Sequence, residues 1–137
     1  MTAAFSAQDA LLATMILTAA ADGAMTDSER RAIDDATGRL PIFQGYDHGR
    51  IGDMTAAVVE TLGEDDGVDQ ALRMVREALP DHLRETAYMF ACEVAAADGR
   101  VAIEEMRLLE LIRHGLDLER LSAAALERAA RARYAKP

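Results

Sequence analysis

The chain has 137 residues, of which 50% are apolar and 28% charged, as expected for one soluble globular domain that forms its core without disulfide bonds. Its formal net charge of −9 disfavours a general nucleic-acid-binding surface, because such surfaces are basic. Cys92 is the single cysteine, which excludes a disulfide framework and a cysteine-based zinc site. Its apolar neighbours predict a small buried hydrophobe instead.

The first predicted helix begins at Ser6, which forms a variant capping box with Asp9. Gly23 suits the left-handed position that ends such a helix. The helix carries an apolar stripe at helical spacing: Leu11, Leu12, Met15, Ile16 and Ala19.

The second predicted helix begins with a capping box made by Thr26 and Glu29. Pro41 ends it, because a proline disfavours helical geometry in the residue before it. Its inner face is predicted to hold Ile33, Ala36 and Leu40.

The middle of the chain is less regular. The segment "PIFQGYDHGRIG", residues 41–52, is rich in glycine and is predicted to be a connection with at most a short helical turn. Helices are predicted over 54–62 and 68–79, separated by the acidic turn "GEDDG".

Three more helices are predicted in the last part of the chain, over about 81–98, 103–114 and 122–134, the last with Ser122 as its cap. No segment alternates as a strand would. The sequence therefore predicts an all-α fold, a compact bundle of about seven helices in a single domain over residues 1–137. The predicted inner residues are Leu83, Ala87, Phe90, Ala91 and Val94 in the first of these helices, and Met106, Leu109 and Ile112 in the second.

A repeat relates the two ends of the bundle. "AAADGAMTDSE" at residues 19–29 returns as "AAADGRVAIEE" at 95–105, so both are helix–turn–helix units with matching glycines and glutamates. The halves, about 6–40 and 81–115, are predicted to be pseudo-symmetric.

Four carboxylates of this repeat form the candidate site: Asp22, Glu29, Asp98 and Glu105. Each continues an apolar line of its helix, so the side chains are predicted to point inward near a turn, where they need N–H donors or a cation. The Gly-to-Glu spacing matches an EF-hand loop, but the first two ligand positions of that loop lack carboxylates in both copies. A weaker Ca²⁺ or Mg²⁺ site that pools carboxylates from the turns stays open.

"ILTAAADGAMTDSE" and "CEVAAADGRVAIEE" resemble the two signatures of the TerB-like tellurite resistance family over roughly residues 10–121. The resemblance implies an all-helical, non-catalytic bacterial protein that acts in tellurite or related chemical stress with protein partners and a divalent metal. The matching positions are Asp22, Gly23 and Glu29, then Asp98, Gly99 and Glu105. The chain departs from the family pattern at Ala102, where Ser, Thr or Asp is usual.

We expect a cytoplasmic protein, because the N-terminal apolar run lacks the basic residues of a signal peptide and is too short to span a membrane. A homo-oligomer and a membrane-associated protein partner both stay open, whereas nucleic acid is not expected. Four basic residues near the C-terminus complement a helix dipole, and the alternative is a docking surface for an acidic partner. They are Arg128, Arg131, Arg133 and Lys136.

No motif of nucleophilic, phosphate-binding or metallohydrolase chemistry occurs, so we expect no enzymatic activity. Three hypotheses follow from the sequence. The first, which we favour, is a metal-responsive stress accessory protein in which Asp22, Glu29, Asp98 and Glu105 help to hold Ca²⁺ or Mg²⁺. The second is a metal-free interaction scaffold whose motif carboxylates only cap helices, and the third is an enzyme with an unrecognised acidic pocket.

Overall fold

The computed structural model describes residues 5–21, 23–99 and 101–137. Within them the chain forms seven α-helices and no strand, which confirms the predicted all-α fold. Short 3₁₀ turns at Pro41–Phe43 and Asp81–Leu83 precede the third and the fifth of these helices. The helices are α1 (Ala7–Ala19), α2 (Asp27–Arg39), α3 (Arg50–Leu62), α4 (Gly67–Ala78), α5 (Arg84–Ala96), α6 (Ile103–Gly115) and α7 (Arg120–Arg133).

Helix α1 lies at the centre of the bundle and contacts α2, α3, α4, α5 and α6. The sequence predicts an apolar stripe on one side of α1, but every residue from Asp9 to Ala19 is buried. The stripe therefore underestimates how much of the surface of α1 is buried. A helix that is apolar on all sides is surrounded by protein. The hydroxyls of Thr14 and Thr18 tolerate this burial because each donates to a main-chain carbonyl one turn earlier, at 2.8 and 2.9 Å.

The connection after α2 is more ordered than predicted, and α3 begins at Arg50 rather than at Met54. The Arg50 guanidinium donates to both carboxylate oxygens of Asp9, with distances of 3.0 and 2.7 Å. The Tyr46 hydroxyl donates to Asp9 Oδ1 at 2.6 Å. These bonds fix the connection on α1, so the helical geometry of α3 starts one turn earlier.

Helix α6 faces the core with a different side from the predicted one. Leu108 and Ile112 are 5% and 0% exposed, whereas Met106, a predicted inner residue, is 56% exposed. The core side follows Glu105, whose 3% exposure places the first turn of α6 against the bundle. Spacing alone could not choose between the adjacent leucines Leu108 and Leu109.

Two helices of the second half start at other residues than predicted. A 3₁₀ turn replaces the first turn of the predicted helix over 81–98, and α5 begins at Arg84. Helix α7 begins at Arg120, so Ser122 lies inside the helix instead of capping it. The buried face of α5 is as predicted, with Ala87, Phe90 and Val94 all at 5% exposure or less.

Across the described segments, the helices are all too short or too polar to cross a membrane.

Candidate functional site at the two Asp-Gly turns

The glycines of the repeat have the predicted left-handed geometry, but they lie in the turns that follow the last helical residues, Ala19 of α1 and Ala96 of α5. Gly23 has φ 92° and Gly99 has φ 85°, a region that favours glycine because it has no Cβ. The N–H of Gly23 donates to the Ala20 carbonyl at 3.0 Å, and that of Gly99 to the Ala96 carbonyl at 2.9 Å. Both α2 and α6 have 13 residues and begin at the same distance from their glycine. The spacing of the two units is thus alike, and a twofold relation between the halves stays a prediction.

The first turn carries the predicted capping box. Glu29 Oε1 accepts from the Thr26 N–H at 2.8 Å, and Thr26 Oγ1 accepts from the Glu29 N–H at 3.1 Å. Glu29 is 1% exposed, which confirms its inward placement. A buried carboxylate at a helix N-terminus is stabilised by main-chain N–H groups and by the positive end of the helix dipole.

Thr26 also joins the two turns. Its hydroxyl donates to the Asp98 carboxylate, at 3.0 Å from Oδ1 and 3.3 Å from Oδ2. The same hydroxyl oxygen accepts the Glu29 N–H, so donor and acceptor capacities of the hydroxyl are both used. Asp98 is half-buried and lies after the end of α5, where a negative charge opposes the helix dipole. The Thr26 hydroxyl therefore stabilises the negative charge of Asp98 by donating a hydrogen bond to its carboxylate.

The second turn keeps half of the capping box. Ala102 has no side-chain oxygen, yet Glu105 Oε1 still accepts from the Ala102 N–H at 3.3 Å. Ala102 has φ −68° and ψ 156°, close to the −79° and 165° of Thr26, so the backbone has cap geometry without the cap side chain. Glu105 is 3% exposed, and its inward placement is confirmed.

The structure brings Glu29 and Asp98 to one residue, Thr26, and places Glu105 in the corresponding position of the second turn. Asp22, the fourth predicted ligand, lies outside the described residues. Among the described side chains, no three of the types His, Cys, Asp and Glu are close enough together to hold a metal ion. The carboxylates have the oxygen chemistry that Ca²⁺ and Mg²⁺ prefer, and a cation site at these turns stays a prediction.

Two features of these surroundings were not predicted. The bond between Thr26 and Asp98 spans 72 residues, and no local pattern indicates it. The sequence indicates Asp9 only as a cap for α1, where the Ser6 N–H donates to it at 3.1 Å. The sequence does contain an indication of the wider role of Asp9. Residues 41–52 include one tyrosine and one arginine, and α1 contains a single acidic residue with which they can pair.

Burial sets the pKa values of two groups elsewhere in the bundle. Cys92 is 3% exposed, as predicted, and burial raises the pKa of its thiol to about 12. Burial and the bond to Asp9 raise the pKa of Tyr46 to about 12. Both groups are neutral at physiological pH, so Cys92 is not an activated nucleophile.

Residues 8–130 match the family described as tellurite resistance protein TerB. No curated protein sequence and no solved structure is significantly similar to the chain. The match extends from the first turn of α1 almost to the end of α7 and includes both Asp-Gly turns. The family is all-α, in agreement with the seven helices described above. The chain belongs to the TerB family of tellurite resistance proteins.

Proposed function

We propose that this chain is a non-catalytic accessory protein of tellurite or related chemical stress resistance that acts by binding other proteins. The family match over residues 8–130 carries the proposal. Two further observations support the non-catalytic part: the only cysteine has a raised thiol pKa, and the sequence has no catalytic motif. The net charge of −9 argues against nucleic acid as the partner.

In this proposal the motif carboxylates stabilise helix ends, and one of them, Asp98, joins the two turns. Glu29 and Glu105 accept main-chain N–H groups at the starts of α2 and α6, and Asp98 accepts the hydroxyl of the opposite turn. These bonds are those of the metal-free scaffold hypothesis, in which the carboxylates serve helix ends.

A weakly bound Ca²⁺ or Mg²⁺ is the second candidate role of the same turns. Its support is that Glu29 and Asp98 meet at Thr26 and that Asp22 is in the same turn of the sequence. A cation there would neutralise part of the negative charge of these carboxylates. This metal-binding role predicts that calcium raises the melting temperature of the wild type and leaves that of Asp98→Ala unchanged.

The stress role is tested in a bacterium whose tellurite resistance cluster lacks its own TerB-family gene. We expect the wild-type chain to raise the tellurite concentration that stops growth, and Thr26→Val/Asp98→Ala to do so less, because the turns are no longer joined. Thr55→Val, which removes an α3 hydroxyl bonded to its own helix, is the matched control. Folded wild-type chain that restores no resistance would contradict the proposal.

A further inference from the structure

An open groove of about 770 Å³ runs between α6 and α7 across α5. Buried Tyr88, Cys92 and Ala96 of α5 form its floor. On the α6 side it exposes Ile103 and Met106, which are 65% and 56% exposed. Large apolar side chains are normally buried, and a cluster of them at a concave surface is typical of a binding site.

The rim of the groove is basic although the protein is acidic. Its lining contains two glutamates and four arginines, whereas the whole chain has a net charge of −9. In the part of the chain that the structure describes, none of these four guanidinium groups makes an ion pair with a carboxylate. They are Arg107, Arg113, Arg120 and Arg131.

The two glutamates of the lining have different surroundings. Glu127 Oε2 accepts from the Tyr88 hydroxyl at 2.7 Å, which links α7 to the floor. Burial and this bond raise the pKa of Tyr88, so the hydroxyl remains a donor at physiological pH. Glu110 is exposed on α6. With Glu127 engaged within the protein, the groove presents mainly positive charge to a ligand.

We propose that this groove binds an acidic amphipathic helix of a partner protein, a proposal that rests on the protein-binding function above and names its partner class. Arginine and methionine are enriched at protein interfaces, and methionine adapts to varied apolar surfaces. The α6 wall from Ile103 to Arg113 rises about 15 Å, the length of about three helical turns. A helix with apolar residues at i, i+3, i+4 and i+7 fills such a groove, and glutamates beside them meet the arginines.

A second copy of this chain fits the groove less well. A twofold dimer would place the arginine rim of one protomer against the same rim of its partner, and like charges would oppose it. Of the four basic residues near the C-terminus, Arg131 lines the groove.

The test uses the full chain and a fluorescein-labelled synthetic helix with leucines at i, i+3, i+4 and i+7 and glutamates at the remaining positions. Fluorescence anisotropy measures its dissociation constant. A peptide with lysine in place of each glutamate is the charge control. We expect micromolar binding of the acidic peptide that weakens as salt rises, and binding at least about tenfold weaker for the lysine peptide.

Two groove variants have matched controls on the same helices. Met106→Asp and Arg120→Glu change exposed lining residues, so folding should be preserved, and each should weaken binding of the acidic peptide by about tenfold. Leu111→Asp on α6 and Arg128→Glu on α7 change exposed residues outside the lining and should alter binding by less than about twofold. Circular dichroism confirms that all four variants are helical.

Three results would overturn the inference: no binding by the wild type, equal binding of the lysine peptide, or equal loss in the control variants. Sedimentation of the wild type tests a fourth contradicting result. If the wild type forms a dimer that the Met106→Asp substitution dissociates, the groove binds a second copy of the chain. If the groove does not bind the peptide but the chain still restores tellurite resistance, only the groove proposal is contradicted. Conversely, peptide binding without restored resistance would remove the stress role and retain the groove.

Discussion

Asp9 connects three parts of the chain through one carboxylate. It caps α1 with Ser6, accepts the Tyr46 hydroxyl and pairs with Arg50 at the start of α3. The Asp9 side chain is 3% exposed and the Arg50 side chain 43%, so the acidic partner of this ion pair is buried and the basic partner is partly exposed. Burial alone would raise the pKa of Asp9, but the hydrogen bonds from Arg50, Tyr46 and Ser6 outweigh it and lower that pKa.

We expect Asp9→Asn to lower the free energy of unfolding by about 2 kcal/mol at neutral pH, because several hydrogen bonds to a charged acceptor are weakened. Since the folded-state pKa is lowered, the stabilisation is full above the unfolded value of 3.8 and is lost as the pH falls through the lower folded value. Urea unfolding from pH 7 to pH 2 checks both effects, and the variant should show a shallower loss at acidic pH.

Asp34→Asn is the matched control, since Asp34 is an exposed aspartate of α2. An Asp9→Asn protein as stable as the control, with the same dependence on pH as the wild type, would contradict the assigned role of Asp9.

The capping of α2 could be predicted from the sequence because all its atoms lie within four residues. The bond from Thr26 to Asp98 could not, because it depends on how two distant turns meet. The same limit explains the error at α6. Both Leu108 and Leu109 continue a helical stripe, and only the tertiary placement of α6 decides which of them is buried.

The unfilled cap of α6 gives a prediction at the scale of the element. Ala102 already has the extended geometry of a cap residue, and Glu105 already reaches back to its N–H. Ala102→Thr should therefore complete the box and raise the free energy of unfolding by about 1 kcal/mol. Thermal unfolding measures the gain.

Ala125→Thr, an exposed position inside α7, serves as the control and should give no gain, because threonine is a weaker helix former than alanine. A destabilised Ala102→Thr protein would show that the second turn differs from the first in more than the missing hydroxyl.

At the scale of the whole molecule, composition favours helices, and the helical spacing with its caps predicts the all-α bundle. Alanine and leucine dominate the sequence and aromatic residues make up 4% of it, so strands are disfavoured. The central position of α1 is harder to predict from the sequence. The apolar residues that indicate a one-sided stripe are equally present in a helix that is completely buried. Local spacing correctly predicts that Glu29 and Glu105 are buried, whereas their role as metal ligands stays a prediction.

The turns and the groove share helix α6. Its first turn is held by Glu105 at the second Asp-Gly turn, and its Ile103 and Met106 form part of the groove. The repeated Asp-Gly motif is thus placed to fix the orientation of a helix that lines the groove. This relation favours a structural role for the motif over a chemical one.

In the metal-free scaffold that we propose, Asp98 joins the two turns through the Thr26 hydroxyl. A double-mutant cycle of Thr26→Val and Asp98→Ala tests it most directly, with urea unfolding in EDTA and again in millimolar calcium. We predict a coupling free energy of about 1 kcal/mol that is the same in both solutions, because the Thr26 hydroxyl donates to Asp98 directly. No coupling in EDTA, or coupling that appears only with calcium, would contradict the account.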